Sequence, residues 1–193
     1  MSQALEDIKE LNVIPAFETR MTNEEYGYTT DRLDVMQINV GRLCNLACKH
    51  CHVEAGPNRT EVMSRDVMEA CFKVCREQQV GTIDITGGAP EMNPDFEWLA
   101  GEACKICDHV IVRTNLVILK EEKYRHLPQF YADHKIEVVC SLPYYRAKEM
   151  DRVRGSGTFD QAIQVIQELN ALGYGKKPDL VLNMVYNPAG AFF

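Results

Sequence analysis

The sequence has 193 residues, a formal net charge of −7 and 46% hydrophobic residues, which fits about one globular domain with an ordinary core. The acidic balance argues against a general nucleic-acid or membrane-surface binder, because such proteins carry a basic patch. No apolar stretch reaches the roughly 20 residues that span a membrane, and the charged start MSQALEDIKE lacks the apolar region of a secretory signal. We therefore expect a cytoplasmic protein that binds neither nucleic acid nor membranes.

Strand and helix patterns alternate along the chain from Val35 onward. We interpret residues 1–34, which are polar and mixed, as an N-terminal extension, and residues 35–193 as the core domain. Apolar runs predict strands at 34–40, 81–88, 109–115, 136–143 and 179–188. Helices are predicted at 64–79, from Asn93 onward, at 121–133 and at 158–172. This alternation predicts a parallel α/β sheet with helices on one face, curving toward a barrel.

Specific residues are expected to begin and end these helices. Ser64 and Asn93 have the residue types of N-caps, and a proline follows Asn93 at the first helical position. Thr158 and Gln161 have the spacing of a capping box, and Gly173 can end the last helix.

Polar residues and glycines collect where the predicted strands end. A loop with three cysteines follows the first strand, and Gly87 and Gly88 end the second. Arg113 and Asn115 end the third strand, and Ser141 lies near the end of the fourth. Because parallel α/β folds bind ligands at the carboxyl ends of their strands, this edge of the sheet is where we expect a site.

The three clustered cysteines, Cys44, Cys48 and Cys51, predict a metal site, since cysteines in a reducing compartment more often bind metal than form disulfides. Thiolates are soft ligands that select zinc, copper(I) or iron–sulfur clusters. A structural zinc site needs four ligands, which His50 or His52 could complete. A 4Fe–4S cluster on three cysteines would keep one iron open, as reactive sites do. Three unrelated buried thiols are the remaining alternative.

The spacing C-x3-C-x2-C after a strand resembles the radical S-adenosylmethionine (SAM) superfamily. The resemblance implies a 4Fe–4S cluster on Cys44, Cys48 and Cys51, whose open iron binds SAM. Reductive cleavage of SAM then gives a 5′-deoxyadenosyl radical. His50 stands where this superfamily usually has an aromatic residue, which implies that it shields the cluster.

The segment TGGAPE, residues 86–91, resembles the glycine motif of the same superfamily, whose backbone approaches the methionyl amine of SAM. Glycine suits this position because it has no side chain to block close approach. The superfamily often has Glu after the two glycines, whereas this sequence has Ala89. Glu91 could replace that acid, or backbone carbonyls could suffice. A plain strand-to-helix turn is the alternative interpretation.

Further polar residues could contact SAM. The resemblance implies contacts to the SAM carboxylate and ribose from Arg113, Asn115 and Ser141, and loop hydrogen bonding is the alternative for each. Asp151, Arg152 and Arg154 form a charge cluster for which we expect a solvated loop. An arginine contact to SAM or substrate is the alternative there.

Longer segments narrow the resemblance to arsenosugar-biosynthesis radical SAM proteins. They are INVGRLCNLACKHCHVEAGPNRTE, DITGGAPEMNP, RTNL, SLPYY and LNMVYNPAGAF. The resemblance implies a partial (β/α)6 TIM-like barrel that lacks its last strand and a C-terminal domain. It also implies transfer of the 5′-deoxyadenosyl group to a trivalent methylated arsenical, with a ferredoxin- or flavodoxin-like electron donor.

Other hypotheses remain open at this point. A different radical SAM reaction, such as peptide modification or a cyclisation of the molybdenum-cofactor type, would have a similar N-terminal half. A truncated, inactive cluster-binding fragment and a zinc module are the others. Of the remaining cysteines, Cys71 with Cys75 and Cys104 with Cys107 could bind thiophilic arsenic(III), although buried core positions are typical of free cysteine. Strand alternation directs Cys140 toward the helices.

Overall fold

A parallel five-stranded sheet forms the centre of the computed structural model, which describes residues 32–49 and 51–186. The strands are β1 Val35–Asn39, β2 Thr82–Thr86, β3 His109–Thr114, β4 Glu137–Ser141 and β5 Leu182–Val185. They lie side by side in chain order, and every neighbouring pair is parallel. The predicted parallel α/β architecture is confirmed. Residues 1–31 of the predicted N-terminal extension lie outside the described residues, so that assignment stays a prediction.

Helices connect the strands and cover one face of the sheet. They are α1 Arg65–Glu77, α2 Phe96–Ile106, α3 Leu127–Asp133, α4 Ala147–Arg154 and α5 Thr158–Leu172. Alternate strand residues such as Ile38, Ile85 and Val112 are buried in one core cluster with helix residues such as Phe72 and Leu99. Cys140 belongs to the same cluster, as its strand position predicts. No helix in the described ranges has the length and apolar character needed to cross a membrane.

Asn93 is not the N-cap that its sequence context predicts. The helix begins at Phe96, and Asn93 is buried three residues earlier. Its Nδ2 donates hydrogen bonds to the carbonyls of Val40 (3.1 Å) and Met63 (3.0 Å). Because these carbonyls lie at the two ends of the loop that contains the cysteines, Asn93 fixes that loop against the start of α2.

The predicted single helix at 121–133 is instead a short 3₁₀ helix, Glu122–Tyr124, followed by α3. Another 3₁₀ helix, Val117–Lys120, precedes this segment. Pro128 lies in the first turn of α3, where its fixed φ favours helix initiation and its missing N–H has no helical partner to lose. A helix interior passing through this proline would lose a hydrogen bond, so the α-helix begins here.

The charge cluster around Asp151 is helical, which corrects the predicted solvated loop. Asp151 lies in α4, and its carboxylate accepts hydrogen bonds from the backbone N–H groups of Gly157 (2.7 Å) and Phe159 (3.0 Å). These bonds lower the pKa of Asp151. Thr158 is the first residue of α5 and donates its hydroxyl to Asp151, so the predicted capping box is wrong. The predicted ends at Ser64 and Gly173 are confirmed, although the Ser64 side chain makes no capping hydrogen bond.

Candidate functional site

The carboxyl ends of the strands border a cleft of about 240 Å³, which is more room than a single ion would fill. Most of the site residues expected from the sequence line it: Cys44, Cys48, Cys51, Gly87, Gly88, Arg113, Asn115 and Ser141. His52 and Arg154 line it as well. His50 lies outside the described residues, so its shielding role stays a prediction.

Two of the three clustered thiols accept backbone hydrogen bonds. The N–H of Leu46 points at Cys44 Sγ (3.4 Å), and the N–H of Ala55 points at Cys51 Sγ (3.2 Å). Such N–H···S contacts stabilise thiolates and tune the potential of iron–sulfur clusters. Burial raises the pKa of Cys44 and Cys48, so metal binding would release their protons.

The types of ligand in this cleft fit an iron–sulfur cluster, although the distances between the ligands do not form a complete metal site. Within the described ranges, no three His, Cys, Asp or Glu side chains already stand close enough to hold one metal ion. The cleft nevertheless contains three thiol ligands, two N–H···S contacts and the buried guanidinium of Arg154. These features suit an anionic thiolate-bound group.

Gly87 and Gly88 hold the cysteine loop against the end of β2. The N–H of Gly88 donates to the carbonyl of Gly41 and the N–H of Ala89 donates to that of Leu43, both at 2.9 Å. A Cβ on Gly88 would meet the Leu43 carbonyl oxygen well inside van der Waals contact. The structure therefore gives these glycines a second role, close packing of two backbones, beside the cofactor contact expected from the sequence.

The substitution Gly88→Ala is expected to destabilise the protein by about 1–3 kcal/mol, because overpacking would push the cysteine loop away from β2. Gly101→Ala is the matched control, since a Cβ at this helical glycine meets nothing within 4 Å. That control should raise stability by up to about 1 kcal/mol through helix propensity. Urea unfolding midpoints of both variants measure the difference, and equal midpoints would contradict the close-packing role.

Arg113 lines the cleft but is already paired with a carboxylate. Its Nε and Nη2 donate to Asp84 at 2.8–3.0 Å, and Gln37 Nε2 also donates to Asp84 (2.8 Å). The hydrogen bonds that Arg113 donates to Asp84 raise the pKa of Arg113. Asp84 was not expected at the site, although a carboxylate within the apolar strand TIDIT is a signal that could have indicated it. The Asp84 charge makes Arg113 less available to an anionic ligand.

Asn115 joins the end of β3 to the cysteine loop. Its Nδ2 donates to Asn45 Oδ1 (2.8 Å) and lies 3.6 Å from Cys44 Sγ, while its Oδ1 accepts the N–H of Ile118 (3.0 Å). Asn45 in turn donates to Glu121 (3.0 Å). The structure thus adds Asn45 to the site, and assigns Asn115 the role of positioning the loop.

Glu91 does not reach the cleft, which contradicts the hypothesis that it replaces the missing acid after the two glycines. Its carboxyl group is buried among the helices at 3% exposure, and Tyr131 donates its hydroxyl to Oε1 (3.2 Å). Burial raises the pKa of Glu91, so its neutral form is favoured. The short 3₁₀ helix Pro90–Met92 places this side chain in the core, next to Thr114, which does line the cleft.

Arg154 is a buried cation beside the clustered thiols. The residue is 8% exposed, and within the described part of the chain its Nε and Nη1 have no hydrogen-bond partner. Lys49 N–H donates to the carbonyl of Val153 (3.0 Å), which fastens the cysteine loop to the last turn of α4. Burial lowers the pKa of Arg154, and nearby thiolate charge, first that of Cys48, opposes this shift. A buried guanidinium without partners calls for an anionic ligand.

A parallel barrel-type sheet with three cysteines, two glycines and a buried arginine at its carboxyl edge defines a domain for a soft metal cluster and a cofactor that carries an anionic group. Residues 38–188 match the family model of the Radical SAM superfamily, and the chain belongs to that superfamily. Its cofactors are a 4Fe–4S cluster and SAM, as predicted from the sequence. Because the chain belongs to this superfamily, a 4Fe–4S cluster is favoured over zinc as the group that the three cysteines bind.

The relatives include peptide-modifying and nucleotide-cyclising proteins. The mycofactocin maturase MftC of Mycobacterium tuberculosis is 33% identical over 142 residues, which cover 72% of this chain and 35% of that protein. A probable GTP 3′,8-cyclase of Saccharolobus islandicus is 26% identical over 156 residues, 80% of this chain and 48% of that protein. The crystal structure of Streptococcus suis SuiB bound to precursor peptide SuiA superposes with a TM-score of 0.64 at 19% identity, covering 79% of this chain and 32% of SuiB.

The chain thus spans about a third to a half of the length of these relatives. The SuiB likeness establishes the fold alone, and none of the three proteins named above is an arsenosugar-biosynthesis protein. The finer resemblance therefore belongs with the proposals below.

Proposed function

We propose that this chain holds a 4Fe–4S cluster on Cys44, Cys48 and Cys51 and cleaves SAM reductively in the adjoining cleft. The observation that carries the proposal is that one cleft contains three soft ligands, the glycine pair and a buried arginine. Among the described residues, the Nε and Nη1 of this arginine have no hydrogen-bond partner. When bound and reduced, the cluster supplies the electron that splits the sulfonium of SAM into methionine and a 5′-deoxyadenosyl radical. The electron would come from a ferredoxin- or flavodoxin-like donor.

The side chains and backbone of the cleft divide the work of binding SAM. The backbone at Gly87 and Gly88 offers close approach to the methionyl amine, because no Cβ stands in the way. The guanidinium of Arg154 pairs with the methionyl carboxylate, the only acidic group of SAM. Asn115 and Ser141 present amide and hydroxyl groups suited to the ribose and carboxylate edges.

The substrate proposed for the radical is a trivalent methylated arsenical, to which the 5′-deoxyadenosyl group is transferred. The support is the set of long segments that resemble arsenosugar-biosynthesis proteins and run from the first strand to the fifth. The chemistry is suitable because trivalent arsenic has a lone pair and accepts carbon radicals. Such an addition forms an As–C bond and an arsenic-centred radical. That radical would return one electron to the oxidised cluster and release one proton to water to give the pentavalent adduct.

A second candidate substrate is a peptide. The maturase relative favours it, as do two exposed tyrosines beside the cleft. Tyr145 follows β4 and Tyr186 follows β5, and their rings stack at 5.8 Å between centroids. Pro143 and Val185, their near neighbours in sequence, line the cleft. Exposed aromatic rings at a cleft mouth are suited to an apolar peptide side chain.

The test is an anaerobic assay of the full chain. The protein is reconstituted with iron and sulfide, reduced with dithionite and given SAM, with or without dimethylarsinous acid, and mass spectrometry follows the products. We expect a brown protein that forms 5′-deoxyadenosine from SAM alone and a deoxyadenosyl–arsenic adduct when the arsenical is present. A colourless zinc-loaded protein would contradict the cluster assignment.

The outcomes separate the two levels of the proposal. A folded, brown protein that forms neither 5′-deoxyadenosine nor an adduct would refute SAM cleavage by this chain. Cleavage of SAM at the same rate with and without the arsenical, and no adduct, would refute the arsenical and favour the peptide candidate.

A further inference from the structure

Two cysteines from different helices meet at the opposite edge of the sheet from the cleft. Cys75 lies in the last turn of α1, and Cys107 directly follows α2. Both line an open pocket of about 310 Å³ together with Val80 and Gly81, just before β2, and Asp108, just before β3. The pocket therefore lies at the amino ends of the strands, away from the cluster cysteines.

Val80 connects the two cysteines. The Cys107 thiol donates to the carbonyl of Val80 (3.0 Å), and the N–H of Val80 donates to the backbone carbonyl of Cys75 (3.0 Å). Cys75 is 1% exposed and Cys107 is 8% exposed. The pocket thus gives a small reagent access to Cys107 first, with Cys75 directly behind it.

The pairing across the helices differs from the pairing that sequence spacing indicates. Cys71 and Cys75 are one turn apart on α1, where Cβ atoms are about 5–6 Å apart. A disulfide needs Cβ atoms roughly 3.5–4.5 Å apart, so this same-helix pair cannot close without distortion. Cys104 and Cys107 have a similar spacing along α2. Packing of α1 against α2 instead brings Cys75 and Cys107 to one pocket.

We infer that Cys75 and Cys107 are a dithiol site, which a low-molecular-weight disulfide oxidises to an intramolecular disulfide. Cys107 attacks one sulfur of the reagent, forms a mixed disulfide and expels one thiol. Cys75 then attacks Cys107 Sγ, closes the Cys75–Cys107 bond and expels the second thiol. The two cysteines together lose two electrons and two protons. The two thiols expelled from the reagent carry these electrons and protons away.

The environment of each thiol supports this order of attack. Burial raises the pKa of Cys75 to about 11, so it is a poor first nucleophile. Burial, and after it the charge of Asp108, also raise the pKa of Cys107, while the neighbouring Cys75 opposes that shift. The greater exposure of Cys107 therefore decides the order of attack.

The test treats the full-length protein with glutathione disulfide and maps the products by peptide mass spectrometry after the remaining thiols are alkylated. In the wild type we expect peptides bridged between Cys75 and Cys107. In Cys75→Ser we expect glutathione to remain on Cys107, because nothing resolves the mixed disulfide. In Cys107→Ser, modification of Cys75 should fall at least tenfold. Cys71→Ser, the matched control, should form the bridge at the wild-type rate.

Two results would overturn the inference. One is a wild-type protein whose Cys75 and Cys107 both stay alkylated while glutathione accumulates on the half-buried Cys71. The other is a bridge that joins either cysteine to a different partner. Because wild-type mapping requires no substitution, a poorly folded variant, recognised by circular dichroism, leaves the test decisive.

Discussion

Alanine at Cys48 or Cys51 is expected to reduce 5′-deoxyadenosine production by at least roughly 100-fold and to lower bound iron in parallel. Mutating a residue that only hydrogen-bonds to a metal ligand already costs about 10–100-fold in metal affinity or activity. Loss of a ligand itself should therefore cost more. Both thiols are only half-buried. The metal-free fold should therefore keep most of its stability. Alanine at Cys44 should have the same effect on activity with an additional loss of roughly 1 kcal/mol, because this thiol is part of the core.

The matched control is Cys71→Ala, which removes a half-buried cysteine of the same chain far from the cleft. Iron and sulfide analysis, the visible absorption of the cluster and the yield of 5′-deoxyadenosine should all stay near wild type in this variant. A Cys48 or Cys51 variant that retained wild-type iron and turnover would show that a different set of ligands holds the cluster.

The succession of strands and helices along the chain could be predicted because it depends on local sequence patterns. Apolar runs separated by amphipathic segments predicted the five strands and their parallel direction. The errors lie where contacts distant in sequence decide the local structure. Asn93 has the sequence context of an N-cap, but its side-chain amide hydrogen-bonds to the two ends of the cysteine loop. At Thr158, the Asp151 carboxylate from the preceding helix accepts the hydrogen bonds that a capping box would otherwise provide.

The candidate site could be predicted at the level of which strand end each residue occupies. The direction and surroundings of a side chain could not. Glu91 is next to the glycine turn in sequence, but Tyr131, 40 residues away, receives its carboxyl group in the core. Arg113 reaches the cleft as expected, but Asp84 on the neighbouring strand already compensates its charge.

The burial of Arg154 also could not be predicted from the sequence. A run of charged residues usually forms a solvated face, and Arg152 in this run is indeed exposed. Arg154 is buried because α4 packs its last turn on the cysteine loop, through the bond between Lys49 and Val153. Burial of an uncompensated cation opposes folding, so its presence makes sense as provision for an anionic ligand.

The substitution Arg154→Met is expected to weaken SAM binding by roughly two orders of magnitude while leaving the metal-free protein as stable as the wild type or more stable. Truncating one partner of a buried charge pair costs about 2–5 kcal/mol of binding, whereas replacing an unpartnered buried charge by an apolar side chain of similar length removes a desolvation penalty. Arg154→Lys should recover only part of the affinity, since an ammonium group lacks the planar fork that binds a carboxylate through two bonds.

Isothermal titration of the reconstituted protein with SAM, combined with urea unfolding of the metal-free protein, measures both effects. Arg152→Met is the matched control, because this arginine lies two residues away and is exposed, and its SAM affinity and stability should stay at wild-type values. If Arg154→Met loses bound iron but keeps its affinity for SAM, then the guanidinium compensates the cluster thiolates and not the SAM carboxylate. If it loses several kcal/mol of stability without SAM, then Arg154 is a structural residue and its assignment to the cofactor is wrong.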